Sequence, residues 1–274
     1  MYKIIFVDID GTLRDSMKTT REKTKKAIDL AKERGIIVVI CSGRPQKYAQ
    51  DVSIECGASE YIISSGGASI DNYYTNENIY CDTIDKNSCL EIAKIAERCG
   101  ARYTFNIPNG RVMNKIKENM RVEEKVLDTD LGTFLDNNQV LQCVITSEEF
   151  SVIEEARKNV LNLQNVVISN QHKSLINSTA PRVGTIYIDV VNKITSKGNA
   201  VKELCKYLDI SLTDAISIGD DRNDISMFEV TGRSVAMGNA FDFVKNQATE
   251  VTLSNDEDGV AVFIEKLLKE KEQR

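Results

Sequence analysis

Two aspartates near the start of the chain, Asp8 and Asp10, are separated by one residue, and a pair of carboxylates at this spacing could hold a metal ion. They follow the apolar run at residues 4–7, which predicts a buried strand that Gly11 ends. Because alternate residues of a strand point to one face, the two carboxylates would lie on the same side. Their joint burial is costly unless a cation or hydrogen bonds compensate, so the pair predicts a metal site. A strand that ends in an ordinary turn is the simpler alternative, since Asp and Gly are common in turns.

Three further groups of polar residues stand next to predicted elements. They are Ser42 and Gly43 after a strand at 36–41, Lys197 at a helix start, and Asp220, Asn223 and Asp224 after a strand at 215–218. Because parallel strands present their carboxyl ends along one edge, we expect these groups to converge with the first aspartate pair. A site with several carboxylates and no histidine favours Mg²⁺ over Zn²⁺. The lysine and the nearby helix N-termini supply positive potential that suits a phosphate.

The elements that must position these groups alternate along the chain. Continuous apolar strands are followed by helices, and this order predicts a parallel sheet with helices on both faces. We therefore expect a Rossmann-like α/β core domain formed by residues 1–83 and 185–274. Residues 84–184 are expected to form a separate α/β domain inserted into the core. Within it we expect helices near 115–126 and 148–161 and strands near 140–145 and 165–169.

Composition excludes several classes of partner and site. The net charge of −6 gives no general basic surface for nucleic acid or an anionic membrane. No apolar run approaches the roughly 18 residues of a membrane span, and the N-terminus has no stretch like a signal peptide. Seven cysteines at irregular spacing, without C-x-x-C, argue against a zinc site or a disulfide framework and suit the reducing cytoplasm. Nothing in the sequence indicates an oligomeric state.

Four motifs in this order resemble those of the haloacid dehalogenase superfamily of phosphatases, and within it the Cof-type subgroup. They are D-x-D-G-T at residues 8–12, S-G-R at Ser42, Gly43 and Arg44, the helix-start lysine Lys197, and G-D-x-x-N-D at residues 219–224. The resemblance covers nearly the whole chain, and the insertion between the second and third motifs matches the subgroup's large α/β cap. Gly66 stands where the subgroup usually carries an asparagine, which bears on any substrate contact made by that asparagine but not on the core chemistry.

The resemblance implies a Mg²⁺-dependent phosphatase that hydrolyses a small phosphorylated metabolite, such as a sugar phosphate, through an aspartyl-phosphate intermediate. Asp8 would be the nucleophile, and Asp10 would protonate the leaving oxygen and then deprotonate the attacking water. The metal ligands would be Asp8, the backbone carbonyl of Asp10, and Asp220, with Asp224 nearby. The residues expected to hold the phosphate or the substrate are Ser42, Gly43, Arg44, Lys197 and Asn223.

Two other functions use the same residues. A sugar phosphomutase would use Asp8 but return the phosphoryl group to its substrate, and a non-catalytic regulatory module would keep the fold and Mg²⁺ without turnover. The intact Asp10 argues against the regulatory module, because binding alone requires no general acid. Substrate selectivity is expected to lie in the cap, where no motif stands out. Sugar phosphates, phosphoglycolate, pyridoxal phosphate and flavin mononucleotide therefore all stay open as substrates.

Overall fold

Strand β1 (Ile4–Val7) lies inside an eight-stranded sheet in the computed structural model, which describes residues 2–108, 110–116, 120–172, 175 and 184–272. The other strands are β2 (Ile37–Cys41), β3 (Tyr61–Ser64), β4 (Ser69–Asn72), β5 (Glu77–Cys81), β12 (Ala215–Gly219), β13 (Arg233–Ala236) and β14 (Glu250–Val251). The strand order is β14-β13-β12-β1-β2-β3-β4-β5. The first six strands of this order run parallel, and β4 is antiparallel to β3.

Helices cover both faces of this sheet, which explains why its central strands are apolar without interruption. Ile5 and Val7 of β1 pack in one core with the helices α1 (Glu22–Glu33), α2 (Gln46–Cys56) and α9 (Gly259–Glu272). Ile4 and Phe6 point the other way and pack with α6 (Lys197–Tyr207), α7 (Ile225–Phe228) and α8 (Asp242–Lys245). The predicted α/β fold class is confirmed. Within the part of the chain that the structure describes, no helix combines the length and apolar character needed to cross a bilayer.

A second sheet of six strands has its own hydrophobic core. Its strands are β6 (Arg102–Ile107), β7 (Gly110–Met113), β8 (Glu124–Val126), β9 (Gln142–Ser147), β10 (Val166–Gln171) and β11 (Ile186–Asn192), in the order β10-β11-β9-β6-β7-β8. Its helices are α3 (Lys86–Arg98), α4 (Leu131–Asn137) and α5 (Phe150–Val160). The chain thus forms two compact units. One comprises Met1–Arg44, Tyr48–Tyr80 and Ser196–Arg274, and the other comprises Cys81–Thr195 and Pro45–Lys47.

The expected boundary after residue 184 differs from the structure, because β11 belongs to the second sheet. This strand pairs with both β9 and β10, and its residues Ile186, Ile188 and Val190 are buried in the second core. The expected helix at 115–126 is also wrong. Residues 117–119 lie outside the described residues, and the end of the stretch is strand β8, which pairs in parallel with β7. Helix α4 was not predicted, although Asp130 caps it by accepting the N–H of Thr133.

Candidate active site

Three aspartates meet beyond the carboxyl ends of the neighbouring strands β1 and β12. Asp8 follows β1, and Asp220 and Asp224 follow β12; each offers a carboxylate oxygen, and these oxygens lie within 4.8 Å of one another. All three residues are buried. The structure therefore brings together, at one edge of the sheet, three of the four carboxylates that the sequence placed there.

Lys197 is the cation of this cluster. It starts α6, its side chain is fully buried, and its Nζ donates to Asp8 Oδ1 at 2.5 Å and to Asp224 Oδ1 at 2.6 Å. Burial opposes its charge, but the carboxylates of Asp224 and Asp8 outweigh that effect and raise the pKa of Lys197 above its ordinary value. The ammonium is therefore held in its charged form against two of the aspartates.

One ammonium does not balance three buried carboxylates. Burial raises the pKa of Asp8 well above its ordinary value; Lys197 opposes this effect, whereas the charges of Asp224 and Asp220 add to it. A second cation at the cluster would relieve the excess of negative charge. A set of carboxylate oxygens without nitrogen or sulfur donors fits a hard divalent ion, so the residues present fit Mg²⁺.

The loop after β12 is folded around Asp224. Its Oδ2 accepts the backbone N–H groups of Asp220 at 2.8 Å and Asp221 at 2.9 Å, while its Oδ1 faces Lys197. A side chain at Gly219 would not fit, because its Cβ would lie 2.4 Å from the Asp224 carboxyl carbon. Asp224 therefore serves first to shape the loop and to hold the lysine, which is a role that spacing alone did not reveal.

Two residues outside the predicted set of site residues hold Asp220 in place. The Thr12 hydroxyl donates to Asp220 Oδ1 at 2.9 Å. Asn239 Nδ2 donates to the Gly11 carbonyl oxygen at 2.8 Å and lies 3.5 Å from Asp220 Oδ2. The sequence contains a feature that could have identified each of these two residues. Thr12 ends the first motif, and Asn239 follows β13 just as the other site residues follow their strands.

Asp10 lies apart from this cluster. Its side chain is about one-third exposed (37%) and forms a two-point ion pair with Arg44, in which Nε donates to Oδ2 at 2.7 Å and Nη2 donates to Oδ1 at 2.9 Å. The strand ends at Val7, so the alternation rule that placed Asp8 and Asp10 on one face no longer applies at residue 10. The motif resemblance implies that Arg44 holds the substrate, whereas the structure places its guanidinium on Asp10.

The remaining predicted site residues lie in the turns beside the cluster. Ser42 is buried after β2, where its Oγ accepts the backbone N–H of Arg44 at 3.2 Å; Gly43 is half-buried in the same turn. Asn223 is half-buried in the turn after β12, and its carbonyl oxygen accepts the Ser226 hydroxyl. At Gly66 the backbone has a φ of 72°, and its N–H donates to the Ser42 carbonyl oxygen at 3.1 Å. This left-handed backbone favours glycine and also admits asparagine, the residue that the subgroup usually carries here.

The sequence profile of the family described as haloacid dehalogenase-like hydrolase matches residues 5–264. The chain belongs to this family. The hydrolase is 30% identical to the Bacillus subtilis protein YxeH over 286 residues, which cover 98% of this chain and 99% of YxeH. It is 27% identical over 293 residues to 5-amino-6-(5-phospho-D-ribitylamino)uracil phosphatase YwtE of Bacillus subtilis, with 97% of this chain and 98% of YwtE covered.

A solved structure has the same fold as this hydrolase. The crystal structure of a haloacid dehalogenase-like hydrolase from Bacteroides thetaiotaomicron superposes with a TM-score of 0.81 at 24% identity, covering 97% of this chain and 100% of that chain. The resemblance stated from the motifs is confirmed. The expected enzyme class, a hydrolase of a superfamily whose curated relatives include phosphatases, is confirmed with it.

Proposed function

We propose that this hydrolase is a Mg²⁺-dependent phosphatase that cleaves a small phosphorylated metabolite through an aspartyl-phosphate on Asp8. The observation that carries the proposal is the buried cluster of Asp8, Asp220 and Asp224 with Lys197 inside it. A buried carboxylate at the end of a strand, held by an ammonium and placed among further carboxylates, is an arrangement for attack on a negatively charged phosphate ester.

Asp8, Asp220 and the backbone carbonyl of Asp10 would hold the magnesium ion, with Asp224 nearby. When bound, Mg²⁺ reduces the repulsion between the attacking carboxylate and the phosphate oxygens and orients the phosphoryl group. Thr12 and Asn239 keep Asp220 directed at that position through the contacts described above. Lys197 binds a phosphate oxygen and shields the charge of Asp8, and Ser42, Gly43 and Asn223 line the turns around the phosphate.

The reaction takes place in two steps. A carboxylate oxygen of Asp8 forms a bond to phosphorus while the ester P–O bond breaks, and Asp10 gives its proton to the leaving oxygen. Asp10 then takes a proton from a water molecule, whose oxygen attacks phosphorus. The acyl-phosphate bond breaks, inorganic phosphate leaves, and the Asp8 carboxylate is restored. Because the side chain of Asp10 lies outside the carboxylate cluster, its carboxyl group can exchange protons while only its backbone carbonyl would face the metal position.

The second unit selects the substrate in this proposal, and the substrate is a phosphate ester of a small, oxygen-rich alcohol such as a sugar derivative. The name of the relative YwtE, which specifies a phosphorylated ribityl compound, supports that class. A screen for phosphate release over a metabolite panel with Mg²⁺, ranked by kcat/KM, identifies the substrate. Steady release of inorganic phosphate separates the phosphatase from the mutase, which returns the phosphoryl group to its substrate.

The variant Asp8→Asn tests the proposed function. It should lower phosphate release below detection while the unfolding midpoint and the circular dichroism spectrum stay those of a folded protein. Asp136→Asn is the matched control, because Asp136 is exposed on α4 and pairs with Lys86 at the surface. Undiminished turnover by Asp8→Asn would reject the mechanism.

A further inference from the structure

Arg44 and Asp10 form a two-point ion pair whose contribution to the stability of the fold is too small to account for its well-defined geometry. Both side chains are partly exposed, at 46% and 37%, and ion pairs of this kind contribute only about 0–1 kcal/mol to folding. Two parallel hydrogen bonds, however, define both the position and the plane of a carboxylate, which a single contact does not. The pair therefore fixes where the Asp10 carboxylate lies.

Arg44 is itself held on several sides. Its backbone N–H donates to Ser42 Oγ at 3.2 Å and its carbonyl oxygen accepts the N–H of Ser65 at 2.8 Å. Its guanidinium carbon lies 5.2 Å from the centre of the Tyr48 ring, within the range of a cation–π contact. The backbone of Arg44 is therefore fixed at both its N–H and its carbonyl, and the Tyr48 ring supports the guanidinium on one side, so the side chain reaches Asp10 from a defined position.

Tyr48 is fixed in turn by Arg14. The Arg14 guanidinium carbon lies 5.3 Å from the same ring, and Nη1 donates to the Tyr48 hydroxyl at 2.8 Å. Arg14 also pairs with Glu55 on α2. Tyr48 and Glu55 both lie on α2, so Arg14 braces the Tyr48 ring against this helix, and the ring in turn contacts the guanidinium that holds Asp10.

We infer that Arg44 is a positioning residue that acts on the reaction through Asp10, and that it is not a phosphate ligand. The inference rests on the proposed function, in which Asp10 carries the proton in both steps. Because the carboxyl group of Asp10 is held in one place, it can give its proton to the leaving oxygen in the first step and take a proton from water in the second. Without Arg44 the carboxylate rotates freely, and both proton transfers slow down because the donor and acceptor atoms are less often aligned.

The two proton transfers make it possible to distinguish a positioning role of Arg44 from a role in phosphate binding. An alkyl phosphate needs a proton on its leaving oxygen, whereas p-nitrophenolate is a stable anion that leaves without one. Loss of Arg44 should therefore slow the first step for the alkyl ester only. With p-nitrophenyl phosphate the first step stays fast and the water-dependent second step becomes slow, so the aspartyl-phosphate accumulates.

The experiment compares Arg44→Ala with the wild type on p-nitrophenyl phosphate and on the alkyl phosphate that ranks first in the metabolite screen. We expect kcat on the alkyl phosphate to fall by about 10–100-fold with KM within about 3-fold. With p-nitrophenyl phosphate a burst approaching one p-nitrophenolate per enzyme should appear. Arg44→Lys should recover part of the loss, since an ammonium restores the charge without the planar two-point contact.

Two further variants keep the test decisive. Arg21→Ala removes a similarly exposed arginine that pairs with Asp15 and should leave both substrates unchanged. Tyr48→Leu removes the ring under Arg44 and should change the two substrates in the same sense as Arg44→Ala, which provides an answer if Arg44→Ala does not fold. An equal rise of KM on both substrates without a burst would make Arg44 a phosphate ligand and overturn the inference, as would unchanged kinetics. An inactive wild type, or an active Asp8→Asn, would instead reject the proposed function.

Discussion

Gly11 is the residue whose replacement tests the geometry of the acidic cluster without removing a charge. Its backbone has a φ of 87°, and a Cβ added there would lie 2.3 Å from Asp220 Oδ2 and 2.8 Å from the Asp220 carboxyl carbon. Because ordinary carbon contacts begin near 3.5 Å, the Asp220 carboxylate would have to move by about 1 Å. That movement would break its hydrogen bond from Thr12.

Two costs follow for Gly11→Ala. The left-handed backbone costs alanine about 1–2 kcal/mol, and the forced contact adds about 1–3 kcal/mol of the kind measured for overpacked sites. The displaced carboxylate should also lower kcat/KM by about 100-fold, because a 1 Å error in a positioned group has that effect. Magnesium affinity, measured by isothermal titration calorimetry, should fall together with activity.

Gly35→Ala is the matched control. Gly35 has a φ of 73°, close to that of Gly11, but nothing lies within 4 Å of an added Cβ. The control therefore shares the backbone cost and lacks the contact with Asp220. Urea unfolding should show Gly11→Ala to be the less stable variant, and only Gly11→Ala should lose magnesium affinity. Equal stability and equal magnesium binding in the two variants would refute the reasoning.

Two further predictions concern the second unit and a buried acid. A fragment of residues 81–195 should unfold cooperatively in urea, whereas a fragment of 84–184 should not fold, because it lacks β11, which lies between β10 and β9. Cooperative unfolding of the shorter fragment would contradict the revised boundary. Burial raises the pKa of Asp71 above its ordinary value of 3.8, although hydrogen bonds from Asn78 and Ser69 oppose the shift. The folded state therefore binds the proton more tightly than the unfolded state, so the free energy of unfolding should fall as pH rises from 3.8 through the raised pKa. Asp71→Asn should remove this fall, and identical pH profiles of the urea midpoint would exclude it.

The strands and the acidic cluster were predictable because one physical rule governs both. An apolar run long enough for a buried strand, followed at once by a polar residue, marks the carboxyl end of a parallel strand. The rule applies to Asp8 after β1 and to Asp220 after β12, and the observed register places those strands side by side. Lys197, at the start of α6, lies against Asp8 because buried carboxylates require a cation.

Other features depend on contacts that no local pattern encodes. The alternating residues Ile186, Ile188 and Val190 would suit either sheet, and only the pairing of β11 with β9 and β10 assigns the strand to the second unit. The contact between Asp10 and Arg44 joins two loops whose directions are set by turns and not by strand alternation.

The most direct test of the central claim is the location of the phosphoryl group after the first step. In an Asp10→Asn variant the water-dependent step loses its base, so a reaction with p-nitrophenyl phosphate and Mg²⁺, quenched in acid, should trap the intermediate. Peptide mass spectrometry should then find an increase of about 80 Da on Asp8, in the tryptic peptide of residues 4–14. A phosphoryl group on any other residue, or turnover in which water attacks the substrate without a phosphorylated enzyme, would contradict the account.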